Sequence, residues 1–276
     1  SWEEAFDYAA SEMRRIQEQY GRKSVGGVSS SRCTNEEIFL TQKLVRAVMG
    51  NNNIDNCARI CHSPTQFGMS ATVGWGAASQ HFDSVLQSDV ILVVGANPTE
   101  GHPVFGSMMK RRIRQGAKLI VIDPRRTETV DSPHCRADVH LALRPGTNVA
   151  VLNSIAHVVV TERLYDRKFI ESRCEWPEFE NWAGFVSQDE FSPENVAALA
   201  GLDAEDIRTA ARLYASGPRS TVYYGLGVTE HSQGSTGVMC LGNLALACGM
   251  FGREGVGVNP LRGQGNVQGG SCLGSW

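Results

Sequence analysis

The sequence lacks several things, and each absence excludes something. No apolar run reaches the roughly 18 residues that a membrane-spanning helix requires. There is no excess of positive charge: 26 Lys and Arg stand against 29 Asp and Glu, a net charge of −3. Nothing in that balance points to a nucleic acid or an anionic membrane as partner. The first residues, Ser1-Trp2-Glu3-Glu4, lack the basic-then-apolar pattern of a secretory leader. The eight cysteines, at 33, 57, 61, 135, 174, 240, 248 and 272, include no Cys-x2-Cys pair, and Cys57 and Cys61 are the closest two. Such irregular spacing in a chain of this size argues against both a disulfide framework and a zinc site. It suits a reducing compartment, so a cytoplasmic location is expected. There is no G-x-G-x-x-G fingerprint and no P-loop, so a standard NAD or ATP site has no support. Internal repeats and low-complexity segments are absent too.

What remains is ordinary globular composition, 42% hydrophobic and 20% charged, over 276 residues. That length suits one large or two modest domains. Two capping-box patterns, Ser1 with Glu4 and Thr34 with Glu37, predict helix starts. Apolar Trp2, Phe6, Met13 and Ile16 at helical spacing extend the first helix to about Tyr20. Ser24 to Val28 reads as a short strand. Val90-Ile91-Leu92-Val93-Val94-Gly95 and Lys118-Leu119-Ile120-Val121-Ile122-Asp123 read as strands buried on both faces, joined through a helix from Pro103 to Gln115. They are expected to be parallel neighbours in one sheet. Val139 to Leu143 is a shorter strand and Asn148 to Thr161 a helix. Residues 166 to 217 are largely helical, with Ser192-Pro193 as a helix start. Thr221 to Gly225 returns to strand, Gly237 to Cys248 to helix, and Gly-rich loop is expected from Gly249 onward. The fold class is therefore α/β, Rossmann-like and doubly wound, with a mainly parallel sheet.

Loops just past strands are where ligands bind in such sheets. Gly95 to His102, Asp123 to Arg126 and Arg144 to Asn148 each supply glycine, a hydrogen-bonding side chain or a cation beyond a strand. Together they would suit a phosphate-bearing nucleotide, with Asp123 facing ribose hydroxyls or a guanine edge. On residue types alone they also read as ordinary turns. Arg59-Ile60-Cys61-His62-Ser63-Pro64 sets a soft thiol beside an imidazole. A thiolate is a good ligand for a soft or high-valent metal, and histidine moves protons near neutral pH. By itself Cys61 also reads as a small buried hydrophobe, His62 as a core or surface histidine and Arg262 as a loop cation.

Five ordered stretches tip that balance. Arg59 to Pro64, Gly95 to Pro103, Ile122 to Thr129, Leu143 to Asn148 and Gly257 to Gly269 resemble, in this order, segments of molybdenum- or tungsten-dependent formate dehydrogenase catalytic subunits, most of all the soluble NAD-linked type. The resemblance implies a bis-molybdopterin guanine dinucleotide cofactor carrying Mo or W. Cys61 is then the metal ligand, His62 takes the proton and Arg262 clamps formate. Gly95, Asn97, His102, Asp123, Arg125, Pro145, Gly146, Asn148, Gly227 and Gln264 would bind the cofactor. His231 matches the family without an assigned chemistry. Electron-transfer subunits are the implied partners. The resemblance also implies that the chain is a fragment: the family's iron–sulfur cluster has no ligands in it. Residues 1–56 are expected to be part of an incomplete domain able to self-associate, 57–264 the cofactor-binding α/β domain and 265–276 the start of a return segment. The rival readings are a non-catalytic cofactor- or partner-binding module and a nitrate reductase of the same superfamily, against which the histidine after Cys61 argues.

Overall fold

The computed structural model describes residues 1 to 274. The chain divides into two units, Ser1–Cys61 with Gln264–Trp276, and His62–Gly263. The short helix Ala58–Cys61 and Gln264 thus group with the first unit. The last two residues of the expected return segment, 275 and 276, lie outside the described residues.

In the first unit both capping boxes form. Ser1 Oγ accepts the Glu4 N–H while the Glu4 carboxylate returns to the chain terminus, starting the helix Trp2–Tyr20. Thr34 and Glu37 do the same for Asn35–Lys43. The first helix nevertheless buries no residue. Strands β1 (Gly27–Ser29) and β2 (Ile54–Asn56) pair in parallel, with Gly27 opposite Ile54. A Cβ on Gly27 would come within 2.8 Å of Val45, which explains the glycine. The core is small: Val45, Met49 and Ile54, with Val25 against them. Asn266 pins the return segment by donating to the Cys33 carbonyl and Asn35 Oδ1, each at 2.9 Å, ahead of the helix Val267–Cys272.

The second unit is built on five parallel strands, β3 (Val90–Val94), β4 (Lys118–Ile122), β7 (Val139–Leu141), β8 (Ser220–Tyr224) and β9 (Gly257–Pro260), in spatial order β7-β4-β3-β8-β9. A two-residue ribbon, β5 (Asp131–Ser132) against β6 (Cys135–Arg136), sits apart from it. The expected pairing of β3 with β4 is present, Val90 opposite Lys118, and every residue of β3 is buried. Alternation along the strands divides the core in two. Leu92, Ile120 and Tyr224 join the cluster under the helices Asn148–Thr161, Ala204–Ser216 and Gly234–Ala247. Ile91, Val121 and Tyr223 join Phe105 and Met109 of the helix Pro103–Arg114 on the other face. The chain runs outward from β3 to β4 and β7, then returns to add β8 and β9. The order is doubly wound, and it reverses between β3 and β8.

The structure departs from the sequence reading after Gly249 and adds a helix that reading did not include. The stretch after Gly249 was expected to be loop, yet it supplies β9. Glycine, asparagine and proline depress strand propensity, but an edge strand tolerates Pro260. Ser79 and Gln80 cover the exposed edge: Val258 N–H donates to Ser79 Oγ at 3.0 Å, and Gln80 N–H donates to Asn259 Oδ1 at 3.0 Å. Residues Ser63–Val73 form a helix with Pro64 in its first turn and Gly74 closing it at φ +75°.

Candidate functional site

The reversal of strand order opens a cleft at the carboxyl ends of β3 and β8, where open α/β sheets bind ligands. The two loops meet backbone to backbone. Gly227 N–H donates to the Gly95 carbonyl at 2.9 Å, and a Cβ on Gly95 would fall 2.6 Å from Gly227. Beside this contact lies a cleft of about 340 Å³, lined among others by Gly95, Asn97, Asp123, Arg125, Pro145, Asn148, Gly227 and His231. Gly146, at φ +90°, lines a smaller pocket next to it with Asn148 and His231. Of the ten residues expected to bind cofactor, seven therefore line the main cleft and Gly146 its neighbour. His102 and Gln264 line neither.

Asp123 is 7% exposed. Its Oδ1 accepts the Arg125 N–H at 2.8 Å, and Oδ2 accepts no hydrogen bond from the described residues. Its backbone carbonyl accepts from His140 Nε2 at 2.9 Å, which ties the end of β4 to β7. Asn97 lines the cleft with its amide already in use. It donates to Glu100 and Glu128, at 3.0 and 2.7 Å, and accepts from Thr129 at 2.8 Å. Its visible duty is to clamp two loops together. Asn148 donates to the Gly227 carbonyl at 3.2 Å. His231, read from the sequence without a chemistry, is exposed at the cleft; its place a few residues past β8 was the available signal.

Of the predicted catalytic residues, Cys61 belongs to the first unit and His62 and Arg262 belong to the second. Cys61 is buried, and His62 is 2% exposed. His62 Nδ1 lies 2.9 Å from Thr65 Oγ1, to which the buried Tyr224 hydroxyl donates at 2.9 Å. Its Nε2 is buried without a hydrogen-bond partner among the described residues. Burial drives the His62 pKa down to about 4. The charges of Arg262 and His102 add to that fall, and the Leu261 backbone opposes it without reaching hydrogen-bond geometry. The ring is therefore neutral near pH 7.

Arg262 follows β9 and is partly buried, its Nη2 donating to the Gly76 carbonyl at 3.0 Å. Its own backbone carbonyl accepts from His102 Nε2 at 3.0 Å. His102, expected to touch the cofactor, anchors the Arg262 segment through this bond. Gln264 belongs to the first unit, where its Oε1 lies 2.9 Å from Cys57 Sγ. Cys57, given no role from the sequence, also receives the Ser31 N–H at 3.1 Å.

A profile of the molybdopterin oxidoreductase family matches residues 1–275. The chain belongs to that family. It is 41% identical over its full length to Formate dehydrogenase H of Escherichia coli strain K12, covering 38% of that protein. It is 39% identical over 275 residues to the F420-dependent formate dehydrogenase subunit alpha of Methanocaldococcus jannaschii, covering 39% of it. Among solved structures, acetylene hydratase from Pelobacter acetylenicus superposes with a TM-score of 0.74 at 25% identity, over 94% of this chain and 34% of that one. The chain thus spans about two fifths of the length of these two curated relatives.

The family implies a molybdopterin-type cofactor with molybdenum or tungsten, and the residues present fit one. The cleft combines an Asp123 oxygen that no described residue uses, glycine backbone and the Arg125 cation, donors and acceptors of the kind a nucleotide end needs. Among the described residues no three His, Cys, Asp or Glu side chains converge into a metal site.

Proposed function

We propose that this chain is the cofactor-binding part of a formate dehydrogenase catalytic subunit, with Cys61 as metal ligand, His62 as proton-handling group and Arg262 as carboxylate clamp. The observation that carries the reading is the environment of His62. A buried thiol is followed directly by a buried, neutral imidazole that feels the Arg262 charge within its own unit. The names of the relatives support formate as substrate.

Oxidation of formate to carbon dioxide releases one proton and two electrons. When bound, a bis-molybdopterin guanine dinucleotide centre with Mo or W supplies the two-electron acceptor. The chain's own residues do the rest. A planar guanidinium matches a small carboxylate and holds it by paired hydrogen bonds. The Gly76 and His102 contacts fix where that guanidinium starts from. A neutral His62 has one ring nitrogen without a proton, as a group that moves protons requires. Asp123, Arg125, Gly146 and Asn148 receive the dinucleotide end. Electrons leave through partner subunits, a reading supported by the relative named subunit alpha. All eight cysteines are free, which supports a reducing, cytoplasmic setting. Among the described residues no helix is long and apolar enough to cross a membrane.

The test uses the protein that carries this sequence. Purified protein should contain pterin and Mo or W and should oxidise formate. Cys61→Ala should abolish the activity. Arg262→Ala should chiefly raise KM for formate with pterin content kept. Normal formate oxidation by Cys61→Ala overturns the assignment. Protein free of pterin and metal favours the second reading, a non-catalytic module.

A further inference from the structure

Cys57 is a thiol with three polar neighbours and no part in the chemistry described above. Its Sγ accepts the Ser31 backbone N–H at 3.1 Å and lies 3.1 Å from Ser31 Oγ and 2.9 Å from Gln264 Oε1. All three residues belong to the first unit, although Gln264 follows Cys57 by 207 positions. Cys57 also opens the turn that carries Cys61, whose N–H donates to the Cys57 carbonyl at 3.1 Å. The Ser31 loop holds the return segment a second time, its carbonyl accepting the Asn266 N–H at 2.9 Å. The Gln264 amide nitrogen has no hydrogen-bond partner among the described residues, and the side chain is half-buried. A Cβ on the neighbouring Gly265 would meet nothing within 4 Å, so open space adjoins the segment.

A count of hydrogens decides which way the amide faces. The thiol carries one and the Ser31 hydroxyl carries one, and Ser31 is fully buried. With the Gln264 oxygen toward the sulfur, the Ser31 hydroxyl donates to Sγ and the thiol donates to Oε1. Both hydrogens are then used, and the two amide hydrogens are left for solvent or a ligand. With the amide turned about, Nε2 donates to Sγ and the thiol donates to Ser31 Oγ. The Ser31 hydroxyl hydrogen is then stranded in the interior. An unmade buried hydrogen bond is worth roughly a tenfold bias or more against that arrangement.

We propose that Cys57 is a positioning residue: with Ser31 it holds the Gln264 carboxamide by its oxygen, so that Gln264 meets the cofactor as a hydrogen-bond donor. The functional meaning rests on the molybdopterin-enzyme reading, in which Gln264 binds the cofactor. The atom it meets is then an acceptor, a cofactor oxygen, nitrogen or sulfur with a free lone pair. A side chain already held at its oxygen loses less freedom when that atom arrives.

The test is side-chain amide NMR on the 276-residue chain labelled with 15N,13C-glutamine, with Gln264 assigned by the signals lost in Gln264→Glu. In the unsubstituted chain the Gln264 amide hydrogens should exchange with water as fast as those of an exposed glutamine. Cys57→Ala should move the Gln264 13Cδ resonance, and Cys57→Ser, which keeps a donor and an acceptor at that place, should bring it back. Exchange slowed about tenfold or more in the unsubstituted chain puts the amide nitrogen against the sulfur and overturns the proposal. So does a 13Cδ resonance unmoved by Cys57→Ala. If Cys57→Ala does not fold, the exchange rate in the unsubstituted chain still decides. These readouts need neither metal, pterin nor formate, so they fail or stand separately from the formate dehydrogenase reading. In the protein loaded with cofactor, Cys57→Ala and Gln264→Glu should lower pterin content severalfold, and Cys57→Ser should keep it. Unchanged pterin content with a raised KM for formate would put the Gln264 donor on the substrate and overturn the cofactor assignment.

Discussion

All five residues of β3 are buried in the second unit, whereas the nineteen-residue helix Trp2–Tyr20 of the first unit buries none. Both segments carry strong local signals, a β-branched run in one and a capping box with helical apolar spacing in the other. The difference lies in what covers them. β3 has a strand on each side and helices on both faces. In the first unit a two-stranded parallel sheet and a core of three buried residues leave Trp2 78% and Phe6 64% exposed. Local sequence decides that a helix forms; whether its apolar stripe is a core face depends on a partner surface. A two-stranded sheet offers little such surface.

The comparison can be broken first in the core. Leu92 is 1% exposed within the larger cluster, and Leu92→Ala should cost about 2–5 kcal/mol by urea denaturation. Phe6→Ala in the exposed helix should cost no more than about 0.5 kcal/mol. Equal losses would mean that the two units are not differently consolidated.

The next effect tests whether the sheet-end loops are packed as tightly as the core. Gly95→Ala forces a Cβ to 2.6 Å from Gly227 at a φ of +56° and should cost about 1–3 kcal/mol. Gly116→Ala, at φ +107° with nothing within 4 Å, meets strain without a clash and should cost less. The reverse ranking in thermal melts would show that the Gly95–Gly227 approach is not a constraint.

Asp89 probes the opposite end of the sheet. It accepts from Arg219 Nε at 3.0 Å and Arg112 Nη2 at 2.9 Å. The Arg219 hydrogen bond foremost, helped by the Arg219 and Arg112 charges, holds its carboxyl below the usual range against the effect of burial. A depressed folded-state pKa contributes stability above the unfolded value of about 4, and that stability is lost as pH falls through the folded value. Asp89→Asn should therefore cost about 1–2 kcal/mol near neutrality and flatten the acid limb of the stability curve. An unchanged acid limb would assign the pH dependence elsewhere.

The smallest effect on stability belongs to the exposed aromatics. Trp2 and Phe6 stack at 5.5 Å on an uncovered helix face. Such a patch favours association. Light scattering should show concentration-dependent self-association, and Trp2→Ser with Phe6→Ser should weaken it while leaving the melting temperature within a few degrees. A chain that stays monomeric over the whole concentration range would remove the case for an interaction surface there.

Much of the fold was legible because its signals are local. Unbroken apolar runs marked β3 and β4, and Ser1, Thr34 and Ser192-Pro193 marked helix starts within a residue. β9 was not legible, since Gly257, Asn259 and Pro260 form a strand only because β8 pairs on one side and Ser79 and Gln80 close the other. The cleft followed from glycines and charges just past strand ends. The uses of Asn97 and His102 did not, because their partners Glu128 and Arg262 lie 31 and 160 residues away.

By itself the sequence determined the α/β class, the strands and helices with strong local patterns, and the order of motifs that marks the family. These rest on nearest-neighbour chemistry: β-branching, caps and glycine dihedrals. The tertiary structure alone decided which strand lies beside which and which apolar faces find cover. It also decided that His62 is a neutral, buried ring held through Thr65 by a tyrosine 159 residues further along the chain from Thr65. Burial and hydrogen bonding depend on what folding brings within a few ångströms, and no local pattern encodes that distance.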